Sequence, residues 1–407
     1  MFAHLSTPAP DPILQVGAAF EADTRPDKVD LGIGVYRDDA GRTQVMEAVR
    51  EAQKGLVATE TSKRYLTFAG EERFNTSMLE LLFADAAAPA RRRAIQTPGG
   101  GGAVRLLCEL IRRARPDATV WVAKPTWINH QAIFDAVGLP MRSWRHTGAA
   151  SGRVDMQALH AALEHSRAGD VLLLHGCCHN PTGVDPTPDE WRDIAQQCRD
   201  RQLTPFVDIA YQGFGDGLAA DASALRLLAD AVPEVLVAAS CSKNFGLYRD
   251  RVGCAAIVAA DASAADAARA AMLSLARVNW SFPPHHGAAI VAAILDSEEL
   301  SQRWTGELEA MRKRLVRHRE LLSQALRRSL PAAYAPLAEA VRVQRGMFSL
   351  LPMAPEQVLA LREAGGLYLP PDGRINIAGV TEANVAHVAG HVAAALVGRP
   401  GSRATRD

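Results

Sequence analysis

At 407 residues, 48% of them apolar, the chain can bury a large core, and its length suggests about two to three domains. Its 45 basic residues balance 45 acidic ones with no long run of one sign, which argues against nucleic acid or an anionic membrane surface and for a small-molecule substrate. The opening "MFAHLSTPAPDPILQ" has no basic region leading into an apolar core, and no run reaches about eighteen apolar residues, so no membrane span is expected and a cytoplasmic location is the default.

Six cysteines lie in apolar contexts such as "RLLCELI" and "RVGCAAI", without the spacing of a disulfide scaffold, and read as reduced and structural. The runs "TVWVAKP", "DVLLLHGCC", "TPFVDIAY", "EVLVAASCS" and "GCAAIVAA" alternate with helical patterns and are near-continuously hydrophobic, as expected of parallel strands covered on both faces. This predicts a doubly wound α/β sheet. Residues 284–328 read as long helices linking two lobes, and "GMFSLLP", "EQVLALREA" and "GRINIAG" as a smaller α+β lobe completed by the N-terminal segment. The final "GRPGSRATRD" reads as frayed. Sheets of this kind bind ligands at the carboxyl ends of their strands, so the residues that close each apolar run are the candidates for chemistry.

In chain order, "QTPGGGGAVRLLCELIRR" sets Gly99, Gly100, Gly101 and Gly102 before an amphipathic helix, where close backbone approach and unpaired N–H groups suit a phosphate. A tight connection without ligand is the alternative. No G-K-[ST] follows, and the third glycine of a dinucleotide fingerprint falls on Val104, so neither a nucleotide triphosphate loop nor a dinucleotide site is predicted. "VWVAKPTWINH" offers Lys124 at a strand end beside a proline, which points to an exposed turn, and Trp127, a flat face for a planar ring or a core residue. In "LLLHGCCHNPTGV", His175, Cys177, Cys178 and His179 invite a metal reading. In an extended strand the two cysteines would face opposite ways, and no second ligand pair follows, so no metal is predicted. Asn180 opens a turn at the sheet edge.

"TPFVDIAYQGF" places Asp208 where an unpaired carboxylate is costly; it needs a cation, either an arginine or a protonated pyridine nitrogen. "VAASCSKNFGLYRDR" delivers Lys243 to the end of a strand. Desolvation there would lower its pKa and free an amine nucleophile, although a snorkelling lysine reads the same way. The chain has only six lysines. Arg277 and Arg374 stand among small or apolar residues, a setting suited to gripping carboxylates, with plain surface placement the alternative.

The ordered set "DPILQ", "VDLGIGVYRD", "HGCCHNPTG", "DIAYQGF", "SKNFGLY" and "GRINIAG" resembles, over nearly the whole chain, the fold-type I pyridoxal phosphate aminotransferases of the aspartate, tyrosine and aromatic amino-acid group. The resemblance implies a mostly parallel sheet in a large cofactor-binding domain, residues 46–310. It also implies an N-terminal arm over 1–14 and a smaller domain built from 15–45 and 311–407. Lys243 would hold the cofactor and shuttle the proton, Asp208 would face its pyridinium nitrogen with His130 behind, and Asn180 and Tyr211 would meet its phenolic oxygen. Trp127 would stack on the ring. Gly100, Gly101, Gly102, Ser240, Ser242 and Arg251 would hold the phosphate, with Tyr65 reaching in from the partner of a homodimer.

For the substrate, Arg374 would take the α-carboxylate, Arg277 of the partner the distal carboxylate, and Gly34 would lie against the backbone. Ile33, Val35 and Phe348 would be apolar walls. Two departures stand out: Gly101 replaces the usual Ser or Thr, and Phe282 in "SFPP" replaces a small polar residue, which favours an apolar ligand. The function expected is transfer of the amino group of tyrosine or phenylalanine to 2-oxoglutarate in two half-reactions. Aspartate or dual specificity is the alternative, and a non-catalytic cofactor-binding regulator a more remote one, disfavoured by the retention of Lys243 and Asp208. A nicotinamide-dependent dehydrogenase would leave Lys243 without a role.

Overall fold

The structure is a computed structural model that describes residues 2–4, 11–148 and 152–398, so most of the expected arm before Asp11 and the expected frayed tail beyond Gly398 lie outside the described residues. Strands in chain order are β1 (Val29–Asp30), β2 (Arg92–Pro98), β3 (Val120–Lys124), β4 (Met141–Arg145), β5 (Val171–His175), β6 (Thr204–Ile209), β7 (Val235–Ser240), β8 (Val252–Val258), β9 (Phe348–Leu350), β10 (Leu367–Tyr368) and β11 (Arg374–Asn376). Seven of them form one sheet in the order β2-β8-β7-β6-β5-β3-β4.

All five apolar runs are strands of this sheet, and β3 to β7 are mutually parallel. The fifth corrects the parallel expectation, since β8 runs antiparallel to both β7 and β2. The reason is the short stretch 241–251 between β7 and β8, which holds no helix, whereas a parallel return needs a crossover of about a dozen residues or more. That tight return is the segment that carries Lys243. The two strands the apolar pattern did not reveal have physical reasons for escaping it: β4, "MRSWR", is an edge strand with only Trp144 buried, and β2 opens on two arginines.

Alternate residues of the strands feed two separate cores, which is the period-2 rule applied to a sheet covered on both sides. Val120, Val122, Leu173 and Phe206 join one cluster with the helix Gly99–Ala114, whereas Trp121, Ala123, Leu172, Leu174 and Val207 join the other. In the remaining part, β1 pairs with β10 and β9 with β11, beside the 32-residue helix Glu298–Ser329. The Asn376 side-chain amide donates to the carbonyls of Ile33 and Val35, pinning that N-terminal segment next to Arg374. No helix among the described residues is long and apolar enough to cross a membrane.

Candidate active site

The carboxyl ends of β2, β5, β6 and β7 open into a cavity of about 190 Å³. Ten of the residues that the resemblance assigned to the site line it, Gly100, Gly101, Trp127, Asn180, Asp208, Tyr211, Ser240, Ser242, Lys243 and Arg251, as does His175. Lys124, the rival lysine, is exposed at the end of β3 and does not line it. Lys243 is half-buried on the cavity wall, with its ammonium 5.0 Å from the centre of the Tyr211 ring. Burial lowers its pKa to about 8; Asp208 pulls the other way, and the cations Arg251 and Arg374 add to the lowering.

Asp208 is 8% exposed and accepts a hydrogen bond from the His130 imidazole at 3.1 Å. Burial alone would raise its carboxyl, but the His130 hydrogen bond and the charges of His130 and Lys243 outweigh that effect and leave it below the usual carboxylate range. Behind it, the Thr126 hydroxyl bridges His130 Nδ1 at 2.8 Å and His175 Nε2 at 3.0 Å. His175 faces Asp208 across the β5–β6 ladder, and burial drives its pKa down to about 3, so it adds no charge at neutral pH. Sequence reasoning offered only a metal reading for His175; its place as the last residue of an apolar run was the signal for this one.

On the opposite wall the helix Gly99–Ala114 begins with no side-chain cap, leaving its first N–H groups to the cavity. A Cβ at Gly100 would stand 2.8 Å from the Ser240 Cβ, and one at Gly99, where φ is +74°, would strike the Arg251 guanidinium at 2.4 Å. Ser240 and Arg251 therefore close on this helix start only because it is glycine. Gly102 sits deeper, against Pro98, and does not line the cavity. Gly101 differs again, because a Cβ there meets only Trp127, at an ordinary 3.7 Å. Gly101→Thr should therefore fit and add a hydroxyl donor, tightening binding of pyridoxal phosphate to the apoprotein about three- to tenfold in a fluorescence titration. An unchanged or weaker dissociation constant would count against this cradle.

Arg374 is 7% exposed and forms no ion pair among the described residues. Its guanidinium lies 4.4 Å over the Phe348 ring and donates to the Gly32 carbonyl at 3.0 Å and to the Asn180 side-chain oxygen at 3.4 Å, while its Nε is buried without a partner. A cation this deep with an unused donor suits a carboxylate ligand. Gly34 approaches the same Phe348 ring. Tyr65 and Arg277 do not line the cavity: Tyr65 is 78% exposed, and Arg277 is exposed with its guanidinium 5.4 Å over the Phe68 ring.

The expectation that Cys177 and Cys178 face opposite ways is corrected by the backbone. β5 ends at His175 and Cys178 adopts φ +53°, so the two cysteines do not alternate as in a strand; both sulfurs and an Asp221 oxygen lie within 4.8 Å of one another. The Asp221 oxygens already accept the N–H groups of Gly213, Gly215 and Asp216, and burial raises the Cys178 thiol to about 12, so these donors are poorly suited to a cation.

A mostly parallel sheet whose strand ends bring a lysine and an aspartate into one cavity beside an uncapped, glycine-built helix start defines the site of a pyridoxal phosphate enzyme of the transferase fold. The profile of the family "Aminotransferase class I and II" matches residues 26–392, and the chain belongs to that family. It is 45% identical over 383 residues, covering 94% of this chain and 96% of the relative, to an aromatic-amino-acid aminotransferase of Paracoccus denitrificans. An aspartate aminotransferase of Salmonella typhi is 43% identical over 399 residues, covering 97% of this chain and all of that one. Among solved structures, an aromatic-amino-acid aminotransferase of Burkholderia pseudomallei covalently bound to pyridoxal phosphate superimposes with a TM-score of 0.93 at 38% identity, over 97% of this chain and 99% of that one. The enzyme is a pyridoxal-phosphate-dependent aminotransferase.

Proposed function

We propose that this aminotransferase moves the amino group of tyrosine or phenylalanine to 2-oxoglutarate, and that the observation carrying the reading is Lys243 and Asp208 lining one cavity, with the buried Arg374, its Nε unpartnered, bonded to Asn180 of the same lining. When bound, pyridoxal phosphate supplies an electron-accepting ring on which the amino group is exchanged. Asp208 would hold the proton on the ring nitrogen, Asn180 and Tyr211 would meet the phenolic oxygen, and Trp127 would cover the ring face. Gly100, Gly101, Ser240, Ser242 and Arg251 would hold the phosphate, with Gly102 contributing only through the backbone of the helix start, and Lys243 would serve as covalent anchor and as the base and acid for the substrate α-proton. Arg374 binds the α-carboxylate beside Gly34. The amino acid leaves as a 2-oxo acid, and 2-oxoglutarate enters and leaves as glutamate.

Exposed apolar side chains on Tyr65 (78%), Leu66 (44%) and Val278 (83%), next to the segments bearing Tyr65 and Arg277, support a homodimer in which each copy lends those two residues to its partner's site. The pairing of β1 with β10 supports a small domain assembled from 15–45 and 311–407. A cytoplasmic location fits six buried, unpaired cysteines.

Aromatic donors are favoured by Phe348 under Arg374 and by Arg277 resting on Phe68 rather than in an ion pair. Because Arg277 has no acidic partner among the described residues, it also suits a dicarboxylate, and dual specificity with aspartate is the second reading. Single-donor half-reactions should give tyrosine and phenylalanine a higher kcat/KM than aspartate. Arg277→Ala should cut the values for aspartate and 2-oxoglutarate about 100-fold, as loss of a charge-assisted bidentate contact implies, and that for phenylalanine less than about threefold. Equal losses for both classes would overturn the side-chain assignment.

A further inference from the structure

The helix Ala262–Asn279 ends in a sharp turn at Ser281, a non-glycine residue at φ +64°, whose N–H returns to the Ala276 carbonyl. Such a backbone is uncommon and persists where the surroundings hold it. Its effect is to set Phe282 against a separate segment, residues 65–68, that has no helix or strand to fix its side chains. The Phe282 and Tyr65 rings stack with centroids 4.6 Å apart and planes 15° apart, and Phe282 and Phe68 meet at 4.9 Å and 32°. Phe68 in turn carries the Arg277 guanidinium. Phe282 thus meets Tyr65 directly and Arg277 only through Phe68, which joins the two side chains that the proposed dimer lends to its neighbour's site.

Tyr65 has no hydrogen bond or ion pair among the described residues, and the ring stack is what the structure supplies to hold it. An exposed tyrosine free to change rotamer would lose that freedom on each contact with a ligand, and prior stacking removes part of that cost. We propose that Phe282 is a positioning residue: it presents the Tyr65 phenol toward the cofactor phosphate of the partner subunit and, through Phe68, steadies Arg277 in the same array. This inference rests on the reading of Tyr65 as a phosphate donor across the dimer.

The test uses the holoenzyme and follows release of pyridoxal phosphate by stopped dilution into a cofactor trap. Phe282→Leu keeps an apolar side chain of similar volume but removes the flat ring; release should speed up about three- to tenfold, the range expected of one aromatic pair. Phe282→Tyr should restore release to within about twofold of wild type, which a merely volumetric role would not require. Tyr65→Phe, which keeps the stack and deletes the hydroxyl, should also speed release, and adding Phe282→Leu to it should change little, because both act through one phenol. If Tyr65→Phe speeds release and Phe282→Leu does not, the inference falls while the phosphate reading stands. If neither has an effect, the phosphate reading falls and takes the inference with it. Additive effects in the double variant would also overturn it, since Phe282 would then act by a route that bypasses Tyr65.

Discussion

Lys243→Ala is expected to lower kcat by about 10⁴-fold or more, since it removes both the covalent anchor and the proton-transfer group at once. Cofactor binding should survive, because the helix start at Gly100 to Gly102, with Ser240, Ser242 and Arg251, is untouched. The physical basis is the lysine's setting. Its amine is desolvated at the cavity wall, and two cations, Arg251 and Arg374, offset the pull of Asp208, so its pKa falls to about 8. A lowered lysine pKa means the free amine dominates above that value. Covalent capture of pyridoxal phosphate by the wild-type apoprotein should therefore quicken about tenfold per pH unit below 8 and level off above it. A variant retaining more than about one per cent of wild-type turnover, or a capture rate flat between these regimes, would contradict the role.

Asp208→Asn should lower kcat by about 10²- to 10³-fold. The carboxylate is 8% exposed, and burial alone would push it toward the neutral form; it stays ionised because His130 donates to it at 3.1 Å and Lys243 lies near. An asparagine keeps the shape but carries no charge with which to hold a proton on the cofactor's ring nitrogen. The same electrostatics rank a second substitution. His130→Asn should cost only about tenfold, since one charge-assisted hydrogen bond is lost while the carboxylate remains. Rates for Asp208→Asn within tenfold of wild type, in steady-state assays saturated with both substrates, would remove Asp208 from the reaction.

The ends of apolar strands made much of this site legible in the amino-acid pattern alone. Parallel strands buried on both faces tolerate polar groups only at their carboxyl ends, so Asp208, Ser240 and the Asn180 turn stood out against their surroundings. The local pattern could not give direction or distance. The reversal of β8 depends on how few residues separate it from β7, and Arg374 meets Asn180 across 194 residues of chain, a contact with no local trace. His175 was obscured by the neighbouring cysteines, whose geometry follows from a left-handed Cys178 that no strand template contains. The stack of Phe282 on Tyr65 likewise joins segments with no shared periodicity; only the unusual residue type in "SFPP" hinted at it.

The most direct measurement is borohydride reduction of the holoenzyme followed by proteolysis and mass spectrometry of the lysine peptides. A stable pyridoxyl phosphate adduct is expected on the peptide containing Lys243. An adduct on the exposed Lys124 or any other lysine in its place, or no fixed adduct in a protein that binds the cofactor, would contradict the role assigned to Lys243.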